Sequence, residues 1–328
     1  MQIAGGKFLI AGGASLIGSH LARQLLDDEA AQVVLFDNLS LGTSAVLAAF
    51  EHEQRVKIVR GDVLRLPNLI EAMQGIDGTF ALAAYLSLPL ARDPALGVEV
   101  NAMGAVNILE AARLLGRKKV VFASSIAVYG NEVDGLVDET TPFRSAGISA
   151  AFATYAASKL LGESLGRLYA QKYGLEACSV RFSTVYGENQ HERGVNALYI
   201  LEAMQAVRSG QGPTILGDGM EAHDYLHAGD AARALVLAMQ NGSGGEAFNV
   251  VTGQSTTVND IVGMVLAEYG SALEPRHVED ARTTRSTAHA ELLISNSKAR
   301  EQLGWEPRVG VADGIHRLRL WLEQAAAR

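Results

Sequence analysis

Phe8-Leu-Ile-Ala-Gly-Gly-Ala-Ser-Leu-Ile-Gly18 passes from an apolar β-type run through a glycine turn into a helical pattern. A strand, tight turn and helix in that order present backbone N–H groups and the positive end of a helix to a pyrophosphate, as dinucleotide-binding folds do. Glycine stands at Gly12, Gly13 and Gly18, but Ser15 occupies the middle position, where glycine normally allows the pyrophosphate to approach closely. We expect the Ser15 hydroxyl to turn toward a phosphate oxygen. Asp37 closes the next apolar run at the distance, about 20 residues, expected of a carboxylate that accepts from the adenosine ribose hydroxyls. Asn38-Leu-Ser-Leu-Gly42 follows with neither lysine nor arginine, so a 2′-phosphate would lack a compensating cation and NAD is favoured over NADP. Asp62, in Arg60-Gly-Asp-Val63, is expected to contact adenine; a turn residue or helix cap is the plainer alternative.

Outward from this loop, apolar runs recur at Val33–Phe36, Val56–Val59, Phe80–Ala83, Val120–Ala123 and Cys178–Phe182, with helical patterns between them. Runs that are apolar throughout, without polar alternation, describe strands covered on both faces, hence an α/β fold with a doubly wound parallel sheet of Rossmann type. Val98 to Leu115 and Tyr155 to Tyr173 read as helices ending at Gly116 and Gly174, where a left-handed cap suits glycine. After Tyr186-Gly187 the pattern loosens into polar loops, as in 188–194 and 217–224. The expected division is a cofactor domain over 1–180 and a smaller substrate lobe over 181–328, with a segment near 246–253, including Phe248-Asn-Val-Val251, returning to the sheet.

The chain has 328 residues, 48% hydrophobic and 20% charged, which describes an ordinary globular protein. A net charge of -8 offers no basic stripe for a nucleic-acid backbone. The one cysteine, Cys178, lies in an apolar run, so no internal disulfide can form, and it is read as core packing in a reducing compartment. The N-terminus lacks a signal-peptide pattern and no apolar run is long enough for a membrane span, so a cytoplasmic location away from membranes is expected, with no metal site.

Tyr155-Ala-Ala-Ser-Lys159 places a phenol and an ammonium one helical turn apart on one face. An unperturbed phenol, with a pKa of about 10, is a poor base near neutrality, and a nearby cation favours its phenolate. A shift of about three units corresponds to roughly 4 kcal/mol, within reach of a lysine acting with a positively charged nicotinamide ring. With Ser125 upstream, the set predicts a hydride-transfer site.

Taken together, Gly12 to Leu21, Asp37-Asn-Leu-Ser40, Gly61-Asp62, Leu82-Ala-Ala84, Val100-Asn101, Ser124-Ser-Ile-Ala-Val-Tyr-Gly130, Tyr155/Lys159, Arg181 to Gly187 and Gly304-Trp-Glu-Pro307 make the chain resemble the extended short-chain dehydrogenase/reductase family, in its NAD-dependent nucleotide-sugar epimerase/dehydratase group. The resemblance spans nearly the whole length. It implies Tyr155 as acid/base, Lys159 holding the nicotinamide ribose and depressing the tyrosine pKa, Ser125 orienting the reacting oxygen, and Ser124 supporting them. Cofactor contacts are implied for Gly12, Ser15, Leu16, Ile17, Gly18, Asp37, Asn38, Asp62, Val63, Ala83 and Ala84, with Asn101 supporting the backbone on that side. By the same resemblance, helices 98–115 and 155–173 would pair across a homodimer as a four-helix bundle; the alternative is that their apolar faces cover the sheet of one monomer.

Departures from the family pattern bear on the substrate. Dehydratases of the group carry Asp and Glu directly after the catalytic hydroxyl, where this chain has Ile126 and Ala127; without a carboxyl to donate a proton, 4,6-dehydration is disfavoured. Thr184 replaces an asparagine that contacts the sugar nucleotide, and His223 replaces an arginine on the diphosphate; Arg282, with Arg285 nearby, falls where a second phosphate-binding arginine occurs. Thr184, His223 and Arg282, with Ser125, are therefore the expected substrate contacts. The leading expectation is a UDP-sugar 4-epimerase working through a transient ketone. A dehydrogenase of a free sugar, uronate or hydroxy acid that releases NADH is the second, and a non-catalytic NAD-binding protein the third.

Overall fold

The computed structural model describes residues 1–328 except 117–118, 131–134, 192–196, 243, 281–292 and 327–328. Seven strands build one parallel sheet: β1 (Lys7–Ala11), β2 (Gln32–Asp37), β3 (Val56–Arg60), β4 (Gly78–Ala81), β5 (Lys119–Ser125), β6 (Glu176–Phe182) and β11 (Ala247–Val250). Their spatial order is β3-β2-β1-β4-β5-β6-β11, so the winding reverses between β1 and β4. Leu9 of β1 lies opposite Val34 on one side and Thr79 on the other. Such a reversal leaves a crevice at the carboxyl ends of the strands. The helices are α1 (Leu16–Asp27), α2 (Ser44–Ala48), α3 (Leu66–Ala72), α4 (Ser87–Arg92), α5 (Pro94–Val98), α6 (Gly104–Leu114), α7 (Ala150–Tyr173), α8 (Leu198–Arg208), α9 (Ala228–Asn241), α10 (Val258–Glu268) and α11 (Val311–Ala326).

One apolar layer gathers Phe8, Ile10, Leu21, Leu25, Leu235, Phe248 and Trp305 beneath α1 and α9; the other joins Leu9, Val34, Leu109, Val120 and Tyr169 beneath α3, α6 and α7. Expected coverage on both faces holds for the central strands. It fails at β3, an edge strand that leaves Ile58 39% exposed. The pattern read over 98–115 is realised in three pieces, α5, a π-helical turn Glu99–Met103, and α6. α7 begins before Tyr155, at a cap in which the Ser149 hydroxyl accepts from Phe152 N–H, and it ends on the left-handed Gly174.

β11 does return to the sheet, alongside β6. More of the second half returns than the sequence indicated: α9 packs against α1, and the Trp305 indole donates to the Asp230 carbonyl at 3.0 Å. Asp230 also accepts the N–H groups of Arg308 and Val309, both at 2.9 Å, fixing the chain after Gly304 to the start of α9. A third core, around Ile200, Met204, Ile261, Val265, Ile315 and Leu318, joins α8, α10 and α11. Short strand pairs border it: β7 (Thr184–Tyr186) with β10 (Tyr225–His227), β8 (Thr214–Leu216) with β13 (Arg276–Val278), and β9 (Ala222–His223) with β12 (Thr256–Thr257). Cys178 is buried in β6. No helix among the described residues is long and apolar enough to cross a membrane.

Candidate active site

The crevice at the reversal is a cleft of about 220 Å³ that runs from the β1–α1 turn, past the end of β2, to the ends of β5 and β6. Gly12, Ser15, Leu16 and Ile17 line one end, with Asp37, Asn38 and Val63 beside them; Ala83 and Ala84 lie along the floor, and Ser125, Tyr155 and Lys159 stand at the other end. Residues far apart in the chain thus meet because the carboxyl ends of parallel strands converge there.

The loop's glycines are required by close packing. At Gly12, φ is +91°, and a Cβ would meet Ala83 N at 2.7 Å; at Gly18 a Cβ would meet the Gly12 carbonyl oxygen at 2.6 Å. Ser15 does not hold its hydroxyl ready for a phosphate as expected. It is the N-cap of α1, accepting from Gly18 N–H at 3.1 Å and donating to the Gly12 carbonyl at 2.7 Å. One oxygen of Asp37 accepts from Ala14 N–H and the other from Leu39 N–H, at 3.0 and 2.8 Å, which leaves each with lone-pair capacity toward the cleft.

Other expected residues fall beside the cleft. Asp62 is not among its lining residues; Oδ1 closes a turn on Leu64 N–H at 2.9 Å, while the adjacent Gly61 and Val63 face inward. Asn101 also stands back, pinning Tyr85 through both its N–H and its carbonyl, at 2.7 and 2.9 Å, and so holding the wall in place as a supporting residue. Thr184 lies between two lining residues, Ser183 and Val185, and the pleat turns it the other way. His223 is likewise off the cleft: its Nε2 is 3.2 Å from a Glu221 carboxylate oxygen, and its ring packs edge-on to Tyr225. Arg282, with Arg285, lies outside the described residues. Gln190 and His191 line the cleft and were not singled out from the sequence, although the polar loop that carries them was.

Ser125 ends β5 and caps the following turn, its hydroxyl accepting from Ala127 N–H at 3.1 Å. Burial dominates at Tyr155 and pushes its phenol up to about 12, with the Ser125 hydroxyl acting in the opposite sense. Burial also brings the Lys159 ammonium down to about 8, opposed by the Glu163 carboxylate. Lys159 Nζ donates to the Ala123 carbonyl at 2.8 Å and lies 5.7 Å from the Tyr155 ring centroid. Burial, and not the lysine at that range, sets the direction of the Tyr155 shift.

The Gln190 loop is tied to both helices beside it. Glu188 Oε2 lies 3.0 Å from His227 Nε2 and 3.6 Å from His20 Nε2 on α1, and Asn189 donates to Ser19 at 3.2 Å. Gly229 N–H donates to His227 Nδ1, which leaves the Nε2 hydrogen for the carboxylate. Burial raises the Glu188 carboxyl, but the His227 contact and its own backbone N–H outweigh this and bring it down to about 2. His20 is lowered from 6.5, chiefly by burial, so the unfolded chain takes up its proton first. This contribution to stability is complete above about pH 6.5 and is lost as pH falls toward the folded value. Melting temperature is accordingly expected to drop on acidification below pH 6.5, and His20→Gln to flatten that slope; an identical slope in the variant would contradict the assignment.

A doubly wound sheet with a glycine turn, a carboxylate after β2 and a serine, tyrosine and lysine around one cleft defines a dinucleotide-dependent oxidoreductase-type enzyme. The family model for GDP-mannose 4,6 dehydratase matches residues 9–318, and the chain belongs to that family, within the extended short-chain dehydrogenases/reductases. It is 33% identical over 320 residues to a UDP-glucose 4-epimerase of Mycolicibacterium smegmatis, covering 94% of this chain and 96% of that one. Its structure resembles UDP-glucose 4-epimerase from Thermotoga maritima, solved with UDP-glucose, with TM-score 0.86, 27% identity and coverage of 98% and 99% of the two chains. The UDP-glucose 4-epimerase of Thermus thermophilus, solved with NAD, aligns with TM-score 0.81 and 29% identity over 97% of this chain and 99% of that one.

Proposed function

We propose that the protein is an NAD-dependent nucleotide-sugar epimerase, acting at C4 of a UDP-sugar. The observation that carries this reading is the convergence of Ser125, Tyr155 and Lys159 at the end of a cleft whose other end has the glycine turn and Asp37. Asp37 would accept from the adenosine ribose, the turn from Gly12 into α1 with Ser15, Leu16 and Ile17 would face the pyrophosphate, with Gly18 packed behind it, and Asn38, Val63, Ala83 and Ala84 would flank it. When bound, NAD would supply reversible hydride exchange at the carbinol carbon, the chemistry by which a carbon is inverted through its ketone. Tyr155 takes the substrate hydroxyl proton and gives it back, with Ser125 fixing the oxygen and Lys159 supplying positive charge. The buried surroundings of Tyr155 favour its neutral phenol, so proton uptake by this residue needs added positive charge from the loaded site. Ile126 and Ala127 provide no acid for elimination, and Ala127 is buried against Tyr155.

The engagement of His223 with Glu221 and the outward turn of Thr184 favour a second reading, a dehydrogenase of a free sugar acid that needs no diphosphate grip. Incubation with panels of UDP-hexoses, UDP-hexuronates and free sugar acids, with NAD, separates the two by NMR and absorbance. Epimer without net NADH is the expected result; accumulating NADH with a free acid would replace the first reading with the second. Exposed Val98, Met103 and Leu114 on one helical run, and Leu161 and Leu168 on α7, support pairing of two copies through these helices.

A further inference from the structure

Behind the cleft, a small cavity of about 30 Å³ between β4, β5 and helices α6 and α7 is lined by Lys159, Glu163, Ser124, Ser158 and Asn101. Glu163 lies one turn after Lys159 on the same face of α7 and is only 3% exposed. A buried carboxylate is costly unless its oxygens are satisfied. Arg181 of β6 satisfies both, Nε to Oε1 at 2.9 Å and Nη2 to Oε2 at 2.7 Å, and the Ser124 hydroxyl donates to Oε1 at 2.6 Å. The remaining Arg181 nitrogen donates to the Tyr129 hydroxyl at 2.8 Å and the Glu139 carbonyl at 3.3 Å. Tyr129 in turn donates to Asn249 Oδ1 at 2.5 Å. Three strand ends and α7 are thus joined by one polar network that lies behind the cleft and reaches its wall only at Ser124.

We propose that Glu163 is a positioning residue, the buried negative charge one turn along α7 that favours the Lys159 ammonium where it donates to the Ala123 carbonyl of β5, with Arg181 and Ser124 fixing the carboxylate. This rests on the reading of Tyr155 and Lys159 given above. The titratable groups that share a cavity lining with Lys159 are Tyr155 and Glu163 on its own helix and Asp37, Tyr85 and His191 across the cleft, while Arg181 on β6 lies beyond Glu163 and is bonded to it. Asn101, Ser124 and Ser158 complete its surroundings as neutral polar groups. Burial works against the ammonium, and the Glu163 charge is the opposing influence at Lys159. A lysine that lost its proton near neutrality could orient a ribose but could not favour the phenolate of Tyr155.

The test is a pH titration of the full chain carrying lysine labelled with 13C at the ε carbon, the Lys159 signal being assigned by its absence in Lys159→Arg. In the wild type the signal is expected to be that of an ammonium at pH 7, with a midpoint of about 8; a neutral amine at pH 7 overturns the proposal whatever the variants do. Glu163→Gln is expected to lower the midpoint by about one pH unit or more, and Glu163→Asp to restore most of it. The alkaline limb of kcat moves to lower pH with the midpoint. A folded Glu163→Gln protein with a lower melting temperature but an unmoved Lys159 midpoint would show a structural role and overturn the proposal. The titration needs no substrate, so a failure to epimerise any UDP-sugar would count against the proposed function and leave this result readable.

Discussion

Tyr155→Phe is expected to lower kcat by about 10²- to 10⁴-fold, the range for loss of a positioned acid/base, while NAD affinity changes little. The substitution removes one oxygen and retains the ring. That ring packs with Leu90, Ala127, Phe152 and Ala156 in a small apolar cluster, so phenylalanine fills the same volume and the helix remains seated. The hydroxyl is the part of Tyr155 that the Ser125 side chain influences, and the proposed proton transfer passes through it. Steady-state kinetics with the UDP-sugar found active, together with calorimetric titration of NAD, would check both halves. Undiminished turnover would remove Tyr155 from the reaction. Loss of NAD binding in step with kcat would make the residue a cofactor contact first and an acid/base second.

Arg181→Leu is expected to destabilise the fold by about 3–5 kcal/mol, the usual cost of breaking a buried ion pair from one side. Arg181 and Glu163 have side-chain exposures of 6% and 2%, so water cannot replace the lost guanidinium. The Tyr129 hydroxyl and the Glu139 carbonyl lose a donor at the same time. For a chain of this size the melting temperature should fall by about 4–7 °C. Replacing both partners, as Glu163→Met with Arg181→Leu, should recover much of that loss, because neither half of the ion pair is then left buried without the other. Thermal unfolding of wild type, single and double variants would decide; a single variant as stable as the wild type would mean that the pair contributes nothing beyond hydrophobic packing.

The glycine turn, the carboxylate after β2 and the tyrosine–lysine spacing were legible because each is a local pattern whose geometry follows from one turn or one helix. Residues that stand off the cleft do so for tertiary reasons. Thr184 points away through strand pleating between Ser183 and Val185, and His223 is held by Glu221 and Tyr225. Asp62 spends an oxygen on its own turn. Ser15 reads from the sequence as a phosphate donor, but a serine that precedes a helix finds orphan N–H groups nearer than any ligand, and it caps them.

The sequence by itself determined the alternation of strand and helix, the place where the winding begins, and the residue types that bring hydride-transfer chemistry to one helix face, since all of these are set by neighbours within a few turns of chain. Only the tertiary structure decided what surrounds those groups. The Ser124–Glu163 and Tyr129–Asn249 bonds join residues 39 and 120 positions apart, and no local spacing encodes such a meeting. Burial likewise appears only when the layers close, and it is burial that raises the Tyr155 phenol and lowers the Lys159 ammonium against the shifts their spacing alone would give.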